Sequence, residues 1–186
     1  MKKITISPKE IIKDFSNLVR IPSDSGDCQA VADHISKEFR KFGGWNIREQ
    51  KFGPGELNLI VTPEKKTGPD PILFAAHMDT VQPGKGIDPV VKNGKIVSAS
   101  ETILGADNKS AIAVYLCGIR MAQKLKIPLI PLEFVFTYGE EQGLQGAKNL
   151  DTKIVKARRG ICFDSDGNVG TITISAPTYM KYTITI

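Results

Sequence analysis

The apolar run LIPLEFVFTY, residues 129–138, constrains the fold of this 186-residue chain more than any other segment. It has the length of one strand, and it lacks the alternation of polar and apolar residues that marks a strand with one face in water. Such a run is typical of a central strand covered on both faces. Helical and extended patterns alternate along the rest of the chain, which predicts an α/β fold with a mostly parallel, twisted sheet flanked by helices.

The other elements follow from local patterns. A first helix is predicted over SPKEIIKDFSNLV, which starts with a capping box at Ser7, and a second over VADHISKEF, which stops at Gly43 and Gly44. Strands are predicted at WNIREQKF, LNLIVT, PILFAAH and GICFD, the last as a buried strand. A tight hairpin is predicted at VVKNGKIV, because it contains an Asn-Gly pair. A long helix from Asp107 to about Lys124 and a short one at LQGAKNL complete the series.

The C-terminal stretch differs from this pattern. VGTITIS and YMKYTITI alternate with period two on either side of Ala176 and Pro177, which predicts an antiparallel hairpin. The sequence stops inside the second strand and leaves an edge without a charged residue to block pairing, which intact proteins usually avoid. We therefore expect a fragment, in which residues 1–175 are the N-terminal part of one domain and residues 176–186 are the truncated start of another.

Composition and charge exclude several classes of function. The formal charge of +5 arises from 25 Lys and Arg against 20 Asp and Glu, but the basic residues are scattered, which argues against a nucleic-acid partner. The three cysteines are odd in number and form no CxxC pair, as expected in a reducing cytosol. No signal peptide or membrane-length apolar run is present, so we expect a soluble, cytoplasmic protein without a membrane partner.

Polar side chains follow the predicted core strands, where ligands of open α/β sheets bind. Each has an ordinary alternative: a capped turn for the HxD pair, a solvated pair at a helix start for the two glutamates, a helix N-cap for Asp107, and a turn for DSDG. Their convergence favours a metal site, and one histidine with several carboxylates suits zinc, cobalt or manganese. These residues are His77 and Asp79, Asp107, Glu140 and Glu141, and Asp164 and Asp166.

Two of these groups have spacing that suits such chemistry. Side chains at i and i+2 of a strand share a face, so the Asp79 carboxylate can fix the imidazole tautomer of His77. The side chains of Glu140 and Glu141 diverge in an extended or turning backbone, so one can bind metal while the other holds a water proton.

Four ordered motifs, HMDTV, TILGADNKSAIA, FTYGEEQGLQGAKNL and FDSDGNVGTI, closely resemble the N-terminal half of the M20 metallopeptidases, particularly the tripeptide aminopeptidase (peptidase T-like) branch. The resemblance implies a di-zinc aminopeptidase fold, in which Co²⁺ or Mn²⁺ can replace zinc. The two metals share a bridging carboxylate and a water, and the activated water hydrolyses short peptides. It also implies a lid or dimerisation domain, which residues 176–186 would begin, and a homodimer of the complete protein.

The resemblance also implies a role for each site residue. His77 would bind one metal and Asp79 would orient it, while Asp107 would bridge both metals. Glu140 would be the general base and Glu141 would bind the second metal. Asp164 would complete the first site; we prefer it to Asp166 because it directly follows the apolar run GICF. Many relatives have an acid at the position of Asn108, a departure that should be mild.

One further histidine ligand of the family is missing from this sequence. His34, within VADHISKEF, is expected to be a partly buried structural residue and not a replacement. We therefore expect little or no peptidase activity from the isolated chain. Two other interpretations remain: a related M20 amidohydrolase, such as a deacylase or a dipeptidase, and a non-catalytic remnant that binds metal or a partner.

Overall fold

A computed structural model describes residues 8–65, 68–168 and 170–175. The predicted N-cap Ser7 and the predicted second hairpin strand, 179–186, lie outside the described residues. In the described part of the chain, no helix is both long and apolar enough to cross a membrane.

The described part of the chain contains eleven helices and strands, and most of the elements predicted from sequence are found close to their expected bounds. In chain order they are α1 (Pro8–Val19), α2 (Gln29–Phe42), β1 (Trp45–Gly53), β2 (Glu56–Pro63), β3 (Ile72–His77), β4 (Pro89–Lys92), β5 (Lys95–Ser98), α3 (Ala106–Lys124), β6 (Leu132–Thr137), α4 (Gln145–Lys148) and β7 (Arg159–Cys162).

The main sheet has the strand order β1-β2-β6-β3-β7. The prediction of an α/β sheet flanked by helices is confirmed, but the expectation of a mostly parallel sheet is wrong in detail. Strands β1, β2 and β6 pair antiparallel, whereas β3 pairs parallel with both β6 and β7. The reason is the short connection after β1, where β2 folds straight back as a hairpin instead of crossing over through a helix.

The apolar run LIPLEFVFTY contains β6, the middle strand of the sheet. Its residues Glu133 to Phe136 are buried, which confirms the prediction of a central, covered strand. Glu133 is tolerated in this strand because its carboxylate accepts hydrogen bonds of 2.8 Å from the backbone N–H groups of Lys156 and Ala157.

The helices cover the sheet with the faces that their sequences predict. Phe15, Leu18 and Val19 of α1 are buried, and α2 buries Ile35 and Phe39 against the sheet. Helix α2 ends at Gly43, whose φ of 68° favours glycine, as the sequence predicted. The small hairpin of β4 and β5 is also confirmed, with positive φ at Asn93 and Gly94 as a type I′ turn requires.

Strand β7 differs from the prediction, which made it a buried strand. All four of its residues are exposed, because among the described residues it lies at the end of the sheet and pairs only with β3. Residues 170–175, within the first strand of the predicted hairpin, form no strand with other described residues. Ile172 and Ile174 are 82% and 93% exposed. An extended segment needs a partner strand to form ladder hydrogen bonds, and the described residues offer none here.

An aromatic cluster joins α2 to the sheet. The ring centroid of Phe39 lies 5.1 Å from that of Phe134 and 5.4 Å from that of Trp45. The centroids of Trp45 and Phe134 are 5.6 Å apart. Phe39 is completely buried, so it fills the space between helix and sheet.

Replacing Phe39 by alanine should lower the free energy of unfolding by about 3–5 kcal/mol, because the surrounding rings cannot collapse into the cavity. Urea unfolding followed by far-UV circular dichroism measures the loss. Phe52→Ala is the matched control, since Phe52 is 38% exposed and should lose less than about 1.5 kcal/mol. Equal losses at the two positions would contradict the packing described here.

Candidate metal centre

His77 ends β3 and is held by both ring nitrogens. Nδ1 lies 2.8 Å from the backbone carbonyl oxygen of Asp79, and because a carbonyl can only accept, Nδ1 carries the proton of the neutral ring. The Asp79 carboxylate is further from Nδ1, at 3.5 Å. Nε2 faces Asp107 Oδ1 at 2.9 Å and Asp164 Oδ1 at 3.6 Å. Nε2 therefore points into a group of carboxylates. It donates to them when the ring is protonated, and its lone pair is available to a cation when the ring is neutral.

Asp107 reaches this group because the start of α3 is not regular. Asp107 has φ −86° and ψ 112°, and the regular helix begins only after Asn108. The start of α3 has no side-chain capping hydrogen bond, and the Asp107 carboxylate faces His77 Nε2 instead. The Asn108 amide donates a 2.7 Å hydrogen bond to Asp164 Oδ1, which an ionised aspartate at that position could not do.

Glu140 and Glu141 lie in the turn after β6. This turn begins at Gly139, which has φ 60°, and its backbone is bound to Asp79: the N–H of Glu140 donates to Oδ1 at 3.0 Å and that of Glu141 to Oδ2 at 3.3 Å. Ligand atoms of His77, Glu140 and Glu141 lie within 4.8 Å of one another. The two-glutamate motif is thus part of the same site as the histidine.

The charges of the site perturb one another. Burial alone would lower the pKa of His77, but the carboxylates of Asp164 and Asp79 outweigh it and raise the pKa to about 11. Asp107 is the closest carboxylate but is 72% exposed, so solvent screens its charge. The neighbouring His77 imidazole lowers the pKa of Asp164. Burial raises the pKa of Glu140 despite the opposing charge of His77.

The donor set fits a divalent cation. Ligand atoms of His77, Asp107 and Asp164 lie within 4.8 Å of one another and form a second group that shares the histidine with the glutamate group. Five carboxylates surround one imidazole, an excess of negative charge that a cation would offset. One nitrogen donor with several oxygen donors suits zinc, cobalt or manganese. The five are Asp79, Asp107, Glu140, Glu141 and Asp164.

The structure brings together the six residues that were given roles from the sequence, while those roles as ligands and base remain predictions. Asp166 belongs to neither group of candidate ligands among the described residues, which supports the preference for Asp164. His34 is half-buried on α2, in a charged pocket with Asp14 and Arg120, and does not approach the site.

One polar contact of the site escaped the sequence analysis. The Ser25 hydroxyl donates a 2.7 Å hydrogen bond to Asp79 Oδ2. Ser25 lies in the turn-rich PSDSGD segment, which carries no pattern that distinguishes this serine from an ordinary turn residue.

Comparison with known proteins identifies the class. An aminopeptidase, PepT, from Bacillus cereus superposes with a TM-score of 0.83 and 40% identity, covering 89% of this chain and 45% of that one. A tripeptidase from Staphylococcus aureus gives 0.82 and 31%, with the same coverage. The Bacillus subtilis protein named "Uncharacterized protein YqjE" is 37% identical over 180 residues, 95% of this chain and 48% of its own. The fold is thus that of these two peptidases.

The family assignment rests on a direct sequence match. The profile of "Peptidase family M28" matches residues 58–176, and the chain belongs to this family of peptidases. The two solved structures also confirm the resemblance to the tripeptide aminopeptidase branch of the M20 metallopeptidases. The chain spans about half the length of the relatives that it matches.

Removing one candidate ligand should show whether cations bind at a specific site or respond only to the negative charge of the region. Asp164→Asn should weaken binding of Zn²⁺ or Co²⁺ at least about tenfold in isothermal titration calorimetry, because it removes a donor next to His77. Asp166→Asn removes the same charge two positions away and should change the affinity less than about twofold. Equal weakening by both variants would mean that the cations respond only to net charge.

Proposed function

We propose that this chain carries the metal-binding and proton-transfer residues of a metal-dependent peptidase that hydrolyses short peptides, of the aminopeptidase or tripeptidase type. The observation that carries the proposal is the joint placement of His77 Nε2, the Asp107 and Asp164 carboxylates and the Glu140–Glu141 turn at one edge of the sheet. The names of the relatives, an aminopeptidase and a tripeptidase, support the substrate class.

The candidate ligands are assigned to two cations, and zinc is the proposed native metal. His77 and Asp164 would hold one, Glu141 would hold the other, and Asp107 would bridge them. When bound, such cations lower the pKa of a water and polarise the carbonyl that it attacks. The Asp79 backbone carbonyl holds the Nδ1 proton, so that the lone pair of Nε2 stays directed at the first position.

Glu140 is the proposed general base. Its carboxylate takes a proton from the attacking water as the oxygen bonds to the scissile carbonyl carbon, and it delivers that proton to the amine as the C–N bond breaks. The backbone hydrogen bond from Glu140 to Asp79 holds this turn beside the other candidate ligands, and of the two glutamates Glu140 is assigned to the proton. The adjacent glutamate is thereby left for the cation.

The proposal extends to substrate, assembly and location. A related amidohydrolase, such as a dipeptidase or a deacylase, is the second candidate, because the same donor set can cleave other amides. Residues 1–175 would be part of the catalytic domain and 176–186 the start of a lid or dimerisation domain, with a homodimer as the assembly. The free thiols of Cys28, Cys117 and Cys162 support the cytoplasm as the location.

Substituting the base should separate catalysis from metal binding. In the protein purified from its native cells, Glu140→Gln should lower kcat for a tripeptide at least about a hundredfold, because no carboxylate is left to carry the proton. The affinity for Zn²⁺ should change little, whereas Glu141→Gln should reduce the number of bound cations. Chromatography of the products of tripeptides, dipeptides and N-acetylated peptides measures both rate and preference.

Two results would contradict the proposal in different ways. Full activity of the Glu140→Gln variant would remove Glu140 from the role of base. Faster hydrolysis of N-acetylated substrates than of free tripeptides would favour the deacylase and count against an aminopeptidase.

The 186 residues alone should hydrolyse tripeptides slowly or not at all. The second cation would keep only Asp107 and Glu141 as ligands, and His34 lies in a different part of the fold. The measurement is the release of amino acids by the purified chain with added Zn²⁺ or Co²⁺. Robust hydrolysis, abolished by a chelator, would contradict this expectation.

A further inference from the structure

The Asp79 carboxylate is fully buried and accepts three hydrogen bonds from two different parts of the chain. Two come from the backbone N–H groups of Glu140 and Glu141, at 3.0 Å and 3.3 Å. The third and shortest comes from the Ser25 hydroxyl, at 2.7 Å, from a residue 54 positions earlier. Of the three donors, Ser25 lies outside the four sequence motifs on which the family resemblance rests.

The loop that carries Ser25 is itself fixed against the site. The Thr80 N–H donates to the Ser23 carbonyl at 2.9 Å, and the Lys109 ammonium donates to the Ile21 carbonyl at 2.7 Å. Lys109 has no solvent exposure, so the hydrogen bond that it donates is shielded from competing water. The position of the Ser25 hydroxyl is therefore set by the protein.

Removing this hydroxyl would change the bonding of one carboxylate oxygen. Asp79 Oδ2 would keep only the long contact with the Glu141 N–H, and a buried carboxylate oxygen with so weak a partner is costly. The torsion that turns a carboxylate about its own axis is soft, so the group would rotate to recover hydrogen bonds. Both backbone contacts with the Glu140–Glu141 turn would loosen together.

We propose that Ser25 is a positioning residue, whose hydroxyl fixes the Asp79 carboxylate and through it the backbone of the Glu140–Glu141 turn. Its effect on catalysis rests on the function proposed above. Its effect on the turn does not, and can be measured without substrate or metal.

Amide hydrogen exchange, resolved by NMR in the full 186-residue chain, tests the effect on the turn. Ser25→Ala should speed exchange of the Glu140 and Glu141 amides roughly tenfold, while the core amide of Val135 stays unchanged. Ser25→Thr keeps the hydroxyl and should restore slow exchange. Unchanged exchange at both glutamates, or an equal increase at Val135, would overturn the proposal.

Ser23→Ala is the matched control. Ser23 lies in the same loop and is 1% exposed, but its hydroxyl has no hydrogen-bond partner among the described residues. This variant should leave exchange at Glu140 and Glu141 within about twofold of the original. A Ser23→Ala effect as large as that of Ser25→Ala would show that the loop acts by packing, and would overturn the proposal.

Peptidase kinetics of the native protein then separate the two proposals. Ser25→Ala should lower kcat about tenfold, with KM changed less than twofold, because it disturbs the turn that carries the base. Faster exchange without any peptidase activity in the unsubstituted protein would overturn the proposed function and support the positioning role. Peptidase activity that Ser25→Ala leaves unchanged would overturn the catalytic part of the positioning role.

Discussion

The hydrogen bonds of the buried Asp79 carboxylate are the interaction on which the site depends. A fully buried carboxylate is tolerated only where donors replace the lost water, and here the donors come from the loop after α1 and from the turn after β6. The same residue holds Nδ1 of His77 with its backbone carbonyl. One side chain and its own backbone thus join three separate segments of the chain.

The sheet makes this junction possible. Strands β3 and β6 are parallel neighbours in register, with His77 opposite Thr137, so both end at the same level. The polar residues that follow them must then lie side by side at one edge, and the irregular start of α3 brings Asp107 to the same place. The antiparallel strands β1 and β2 widen the sheet on the far side of β6 and contribute no candidate ligand.

Sequence reasoning reached the elements and the candidate ligands because both leave local patterns. Helical periodicity marks α1 and α2, and a continuous apolar run marks β6. Polar residues after apolar runs mark His77 and Glu140. Sequence reasoning failed where the structure of a segment depends on neighbours that are distant in the chain. The direction of β2 and the exposure of β7 depend on which strand each pairs with, which a run of apolar residues does not encode. Ser25 was missed for the same reason, because its partner lies 54 residues away.

The site is also coupled to the packing of the N-terminal helices. The loop between α1 and α2 supplies Ser25, and its own ends are tied by Lys109 at Ile21 and by the Gly55 carbonyl, which accepts a 2.9 Å hydrogen bond from the Cys28 N–H. Lys109 follows Asp107 by two residues at the start of α3, so one element both holds this loop and presents a candidate ligand. Helix α3 cannot shift without moving both. The geometry of the candidate metal centre is therefore a property of the fold as a whole, since no single motif contains all the contacts that hold it.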